Sequence, residues 1–198
     1  MTRLAVFAYG SLVDPRSASL TLGREVPSPL PARLVGWRRR WSVCRDNRMS
    51  EKTFAIQPGG EIPPWIIGLN IEPEPEDVGP AGALLEVTEA ELERLDMREI
   101  RYERTDVTAA VRPLEGDPRA GHPFDTVIGF KARPEHHAPQ PLPDSVIIAA
   151  YLRTVEAAYA AREMLYAFRG TTEAPPVPVV EGELLAGDEI PDGNPRSW

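Results

Sequence analysis

The sequence predicts an α+β domain: a small mixed β-barrel or strongly curved sheet flanked by helices. Short apolar runs bounded by Gly and Pro recur along the chain and outnumber the stretches with helical periodicity. The helical stretches do not alternate regularly with the strands, which disfavours a doubly wound parallel sheet. No internal repeat and no convincing domain boundary interrupts the pattern. We therefore read residues 1–170 as one domain and 171–198, rich in Pro and acidic residues, as a C-terminal tail that wraps the surface or frays.

Leu4 to Tyr9 is a compact apolar run ending in Gly10-Ser11, a buried strand followed by a turn. Asp14-Pro15 then starts a helix, with Asp14 as N-cap and Pro15 at the first helical position. Ala32 to Val43 reads as one long strand. Thr53 to Gln57 and Trp65 to Ile71 are shorter strands split by Pro58-Gly59-Gly60, and the acidic, Pro-rich stretch Glu72 to Pro80 is a loop. Gly82 to Val87 is another strand. Thr88-Glu89-Ala90-Glu91 has the form of a capping box, so a helix begins there, with Leu92 and Leu95 on one face, and ends near Arg98-Glu99. Ile100 to Val111 turns strand-like, and Phe124 to Ala132 is a further strand. After the Pro-rich loop Pro134 to Pro143, Asp144 caps the longest predicted helix, Ser145 to about Phe168. Ile148, Leu152, Val155, Tyr159 and Leu165 mark its apolar face.

Composition narrows the function. The 198 residues carry a formal net charge of −8, which disfavours nucleic acid and anionic membrane surfaces as partners. Leu4–Tyr9 is too short for a signal peptide and no apolar run approaches a membrane span, so a cytoplasmic protein is expected. A single cysteine, Cys44, excludes an internal disulfide or a multi-Cys metal site, and its apolar setting reads as core. The three histidines, His122, His136 and His137, sit in Pro-rich loop sequence. Adjacent histidines on a strand face opposite ways, so no metal site is expected at His136-His137. Trp37 and Trp41 share strand parity, as core packing or a pocket wall. Arg38-Arg39-Arg40 reads as a solvated strand edge.

Two segments carry candidate chemistry. In Phe7-Ala8-Tyr9-Gly10-Ser11-Leu12, a strand runs into a Gly-containing turn, which leaves backbone N–H groups able to hold a carboxylate. Gly10 lets backbone approach a ligand closely. In Leu92 to Arg104 most acidic residues read as solvated helix surface. Glu99 differs because it lies where the capped helix hands over to a strand, a junction that can aim a carboxylate into a cavity. Tyr102 is placed either to bond Glu99 or a substrate, or to pack in the sheet.

Together these segments resemble the gamma-glutamylcyclotransferase-like family, also called AIG2-like or butirosin-acylase-like. The matching pieces are Phe7 to Leu12, the strand Gly82 to Val87, Leu95-Asp96, Glu99 and Tyr102, with Arg33-Leu34-Val35-Gly36-Trp37 as the second-strand segment. The resemblance covers roughly residues 4 to 168. It implies a small closed or nearly closed β-barrel flanked by helices. It also implies that Tyr9, Gly10, Ser11 and Leu12, with Tyr102, bind the substrate and that Glu99 is the general base. That base takes a proton from the α-ammonium of a γ-glutamyl compound, and the freed amine attacks its own γ-carbonyl to give 5-oxoproline. An ammonium is not a nucleophile, so a base is needed, and partial burial makes a carboxylate a better one. No metal or organic cofactor is implied, and the partner is a small γ-glutamyl molecule.

Some positions depart from the family pattern. Leu12 stands where some members have Asn, and no Gly follows Glu99. The tyrosine that family members place before the last helix corresponds to Ser145, with Tyr151 close by. The substrate is open among γ-glutamyl dipeptides, γ-glutamyl amines, glutathione and γ-glutamylated biosynthetic intermediates. A non-catalytic binding module on the same fold is the competing expectation.

Overall fold

The structure is a computed structural model that describes residues 2–75, 79–115 and 121–186. Its first strand, β1 (Leu4–Ala8), is buried along its whole length because it is central in a six-stranded sheet. A 3₁₀ turn (Ser11–Val13) follows, then α1 (Pro15–Leu22), where the Asp14 side chain accepts from Arg16 N as the expected N-cap.

The strand expected from Ala32 to Val43 is two strands, β2 (Leu30–Leu34) and β3 (Trp37–Asp46). Gly36 breaks it, turning the chain at φ 78°, a left-handed conformation that suits a residue without Cβ. Next come β4 (Thr53–Ile56), β5 (Trp65–Pro73) and β6 (Ala81–Val87). The loop expected over Glu72–Pro80 thus begins later, and residues 76–78 lie outside the described ones. Gly82 lets β6 press on β1: a Cβ there would stand 2.4 Å from Ala8 O and 2.6 Å from the Phe7 ring.

Helix α2 (Glu89–Arg98) opens with the full capping box. Thr88 Oγ1 accepts from Glu91 N at 3.2 Å, and Glu91 Oε2 accepts from Thr88 N at 2.8 Å. Arg24 pairs with the same Glu91 carboxylate and ties the helix start to the end of α1. Thr88→Ala removes one half of the box and is expected to lower unfolding free energy by about 1 kcal/mol, read by urea denaturation.

Ile100 to Val111 resolves into β7 (Tyr102–Asp106), a 3₁₀ turn at Thr108–Ala110, and the start of β8 (Val111–Pro113). Strand β9 (Thr126–Ala132) follows. The long helix predicted from Ser145 is corrected at its start. Ser145-Val-Ile-Ile148 forms β10, pairing in parallel with Trp65–Ile66 of β5. Three consecutive β-branched residues suit a buried strand better than a helix. Asp144 is not a helix cap but sits at φ 56°, a left-handed turn that Asp tolerates. The helix begins only at the alanines, as α3 (Ala149–Ala160), and a break separates it from α4 (Leu165–Gly170). The chain then adds β11 (Val179–Val180) beside β10 and β12 (Gly182–Ala186) against β4, so residues through 186 take part in sheet pairing.

The six-stranded sheet has the order β7-β9-β1-β6-β2-β8, with β1 antiparallel to β6 and parallel to β9. A four-stranded sheet, β11-β10-β5-β3, stands beside it. The fold is the expected mixed α+β arrangement, and among the described residues the sheets do not close into a barrel. Where β5 runs alongside β9, side chains bridge the gap in place of a backbone ladder. Asn70 Oδ1 accepts from Ala132 N at 2.8 Å, and the Tyr102 hydroxyl donates to Leu69 O at 2.7 Å. The α3 helix packs on the 3₁₀ turn at Ser11–Val13, and α4 on β6.

The arginine triplet is also corrected. Arg39 is fully buried, not a solvated edge. Its guanidinium donates to Ala81 O, to the Tyr159 hydroxyl at 2.6 Å and to Thr172 Oγ1 at 2.8 Å. It also lies over the Phe168 and Tyr159 rings, at 4.8 and 5.2 Å from their centroids. Arg40 pairs with Glu72 and Glu173. Trp41 is buried and donates from Nε1 to Glu173 O at 2.9 Å, while Trp37 is half-buried against the core. Cys44 is buried.

Candidate active site

A cavity of about 400 Å³ opens where the two sheets part. Its walls are largely apolar, drawn from β1, β5 and β9, with Phe7, Ile67, Leu69 and Phe130 among them. Such a size and lining suit a small molecule oriented by a few polar groups.

Strand β1 aims its C-terminal end at this space. Its partners on both sides fix its register, so Tyr9 and Gly10 emerge at the cavity rim and the chain coils at once into the 3₁₀ turn. Val13 N and Asp14 N close that turn on the carbonyls of Gly10 and Ser11. The first N–H groups of such a turn have no acceptor within it, so they remain as donors. A Cβ built on Gly10 meets no atom within 4 Å, so a side chain there would project into open space.

Glu99 is delivered by the end of α2. Its N–H still bonds Leu95 O at 2.7 Å, while its carbonyl accepts from Tyr102 N at 2.8 Å and swings the chain into β7. The Glu99 side chain is 19% exposed, and its carboxylate lies 3.1 Å from Arg98 Nε. The same guanidinium donates to Ser11 Oγ at 2.9 Å and to Thr21 Oγ1. Arg98 therefore ties the turn after β1 to the helix end that carries Glu99, across 87 residues of sequence.

All six site residues expected from sequence, Tyr9, Gly10, Ser11, Leu12, Glu99 and Tyr102, line this one cavity. Tyr102 bonds a backbone carbonyl across the seam and serves the sheet in doing so. The Tyr9 hydroxyl is likewise committed, donating to Phe130 O at 2.6 Å. Burial raises the Tyr9 phenol well above its ordinary pKa, and neighbouring Tyr102 and Glu99 add to the effect. Tyr151, in the first turn of α3, also lines the cavity, and burial pushes its phenol up to about 12. These two phenols stay neutral near pH 7. Ser145, by contrast, lies in β10, where its hydroxyl donates to Leu142 O, and it does not line this cavity.

With this geometry in hand, solved structures provide the comparison. One described as "Gamma-glutamyl cyclotransferase" superposes with a TM-score of 0.57 at 18% identity, covering 96% of each chain. This chain has the gamma-glutamylcyclotransferase-like fold. An uncharacterized protein from Homo sapiens, loc79017, aligns with a TM-score of 0.61 at 16% identity over 99% of this chain and 100% of its own. YkqA from Bacillus subtilis aligns with a TM-score of 0.51 at 15% identity, over 88% of this chain and 57% of its own. Neither a family profile nor a curated protein matches the sequence.

On this gamma-glutamylcyclotransferase-like frame the sequence reading missed several polar cavity residues. Arg45, Glu51, Lys52, Arg98 and Arg101 all line the space. Arg98 and Arg101 flank Glu99 in sequence, and that proximity was the available signal. The other three come from β3 and the β3–β4 connection, which nothing in the sequence linked to Glu99. Among the described residues no His, Cys, Asp and Glu cluster could hold a metal ion. His137 Nε2 instead lies 2.9 Å from Glu72 Oε1. No helix is long and apolar enough to cross a membrane.

Proposed function

We propose that this chain is a gamma-glutamylcyclotransferase-type enzyme that releases 5-oxoproline from a γ-glutamyl compound, with Glu99 as general base. The observation that carries the reading is that Glu99 and the Tyr9–Leu12 turn line one cavity and are tied together by Arg98.

In this reading the donors of the Gly10–Leu12 turn hold the substrate's α-carboxylate, which brings the α-ammonium toward Glu99. The carboxylate accepts a proton, and the amine's lone pair attacks the γ-carbonyl carbon. The new C–N bond closes the five-membered lactam as the bond to the leaving nitrogen breaks. The leaving amine takes the proton held by Glu99 and a second from the attacking nitrogen, and departs as an ammonium. No water enters the products. The proton of Tyr102 is committed to Leu69 O. Any bond it makes to the substrate is therefore as acceptor, the role an ammonium requires. Holding the bound chain in the closing rotamer supplies much of the rate, since the reaction is intramolecular.

The test is a panel of γ-glutamyl dipeptides and γ-glutamyl amines, followed by 5-oxoproline release. Release from at least one compound is expected, and inactivity on all of them would favour a binding module. Gly10→Val probes the turn. Its side chain enters open space next to the donors. The Michaelis constant is expected to rise about tenfold or more while the melting temperature moves little, and an unchanged Michaelis constant in a stable variant would show that the turn does not hold substrate.

A further inference from the structure

Arg98 faces three groups at once, and each hydrogen bond it makes has a direction. A guanidinium carries five N–H donors and no acceptor, so every group bonded to it must accept. Nη1 donates to Thr21 Oγ1 and Nη2 to Ser11 Oγ at 2.9 Å, while Nε lies 3.1 Å from Glu99 Oε1. Ser11 and Glu99 line the cavity. Thr21 does not: it stands in the last turn of α1 and is 1% exposed.

Thr21 suits this place because its own proton is already committed. Its hydroxyl donates to Ser17 O at 3.0 Å, one turn back along α1, a bond that Thr often makes inside a helix. The oxygen therefore meets Arg98 with a lone pair. Ser11 Oγ likewise gives a lone pair to Arg98, which turns the Ser11 proton away from the guanidinium. Ser11 lines the cavity, so a carboxylate held at the turn can take that proton. The donors thus run in one direction, from the backbone of α1 through Thr21 and Arg98 to the site. Helix α1 is a firm base for them. Asp14 caps its start, and Arg24, just past its end, pairs with Glu91 in the first turn of α2. The bond from Arg98 to Thr21 makes the matching tie at the end of α2. The helix that delivers Glu99 is therefore fastened to α1 at both ends.

We propose that Thr21 and Arg98 are positioning residues for the reaction: Thr21, outside the cavity, fixes the Arg98 guanidinium, which holds the Glu99 carboxylate in place and turns the Ser11 hydroxyl proton toward the substrate. The proposal rests on the reading of Glu99 and the turn given above. Small displacements of reacting groups are costly in rate, so a residue that never touches substrate can still control turnover.

The test divides Thr21 into its two halves. Thr21→Val keeps the shape and removes the hydroxyl, leaving Arg98 Nη1 without this acceptor. Thr21→Ser keeps the hydroxyl and removes the methyl group. Thr21→Val is expected to lower kcat/KM for γ-glutamyl-alanine about tenfold or more, and Thr21→Ser to stay near the unmodified protein. Melting temperatures are recorded for both, because a merely structural role would make activity follow stability in the two variants alike, and that result overturns the proposal. Arg98→Met is the second arm. On its own it is expected to lower kcat about tenfold or more, whereas in the Glu99→Gln protein it should change the residual kcat little, since Arg98 acts on turnover through Glu99. Losses of equal factor in both backgrounds overturn the role of Arg98. Release of 5-oxoproline that Thr21→Val leaves undiminished removes the positioning role and keeps the cyclotransferase reading. No release by the unmodified protein from any γ-glutamyl compound removes that reading, and the positioning role with it.

Discussion

Glu99→Gln is expected to reduce turnover on a γ-glutamyl substrate by on the order of 100- to 10,000-fold. The substitution keeps the size of the side chain and an oxygen able to face Arg98 Nε. It removes only the ability to take a proton from the substrate ammonium. The rest of the Arg98 network, to Ser11 Oγ and Thr21 Oγ1, does not involve the lost charge. The Michaelis constant should therefore change little. The exchange of a partly exposed ion pair for a neutral contact should alter stability by no more than the ~1 kcal/mol typical of a point substitution. Steady-state kinetics with thermal unfolding of both proteins separates the two effects. Full activity in the variant would remove Glu99 as base.

The second large effect concerns stability. Arg39→Ala is expected to lower the unfolding free energy by about 3 kcal/mol, a drop of roughly 6–12 °C in melting temperature for a chain of this size. Burial lowers the proton affinity of Arg39, partly offset by Tyr159 and Tyr9. Among the described residues its hydrogen-bond acceptors are a carbonyl and two hydroxyls, with no carboxylate, and two aromatic faces lie against it. Truncation to Ala leaves a void under α4 and strips Ala81 O of one donor. It also unfastens Thr172, which anchors the segment running to β11. Arg39→Met fills much of the space and removes the desolvated charge, so it should be clearly milder. Equal loss from both substitutions would show that the charge, not the packing, holds this site.

Local signals in the sequence carried much of the fold. The Thr88–Glu91 box, the Asp14-Pro15 helix start and the buried run of β1 each state a local preference that the tertiary structure keeps. The misreadings occurred where tertiary pairing overrode periodicity. Ile148 falls in phase with Leu152, Val155 and Tyr159, so periodicity extends the helix back through residues that instead pair with β5 and β11. Arg39 looked like a surface residue because a charged triplet reads as solvated. Its burial depends on Tyr159, Phe168 and Thr172, which lie more than 100 residues away. The candidate site was legible only in part. Motifs point to the turn and Glu99, whereas the cavity's basic residues come from β3, its following connection, the end of α2 and the segment after it, a juxtaposition that only the fold creates.

In the proposed reaction the substrate's own amine, and no water, displaces the leaving group. Turnover of γ-glutamyl-alanine in ¹⁸O-labelled water, with products resolved by mass spectrometry, tests it most directly. Alanine and 5-oxoproline are expected in equal amounts, with no label in the 5-oxoproline. Glutamate carrying ¹⁸O would mean that water is the nucleophile and would contradict it.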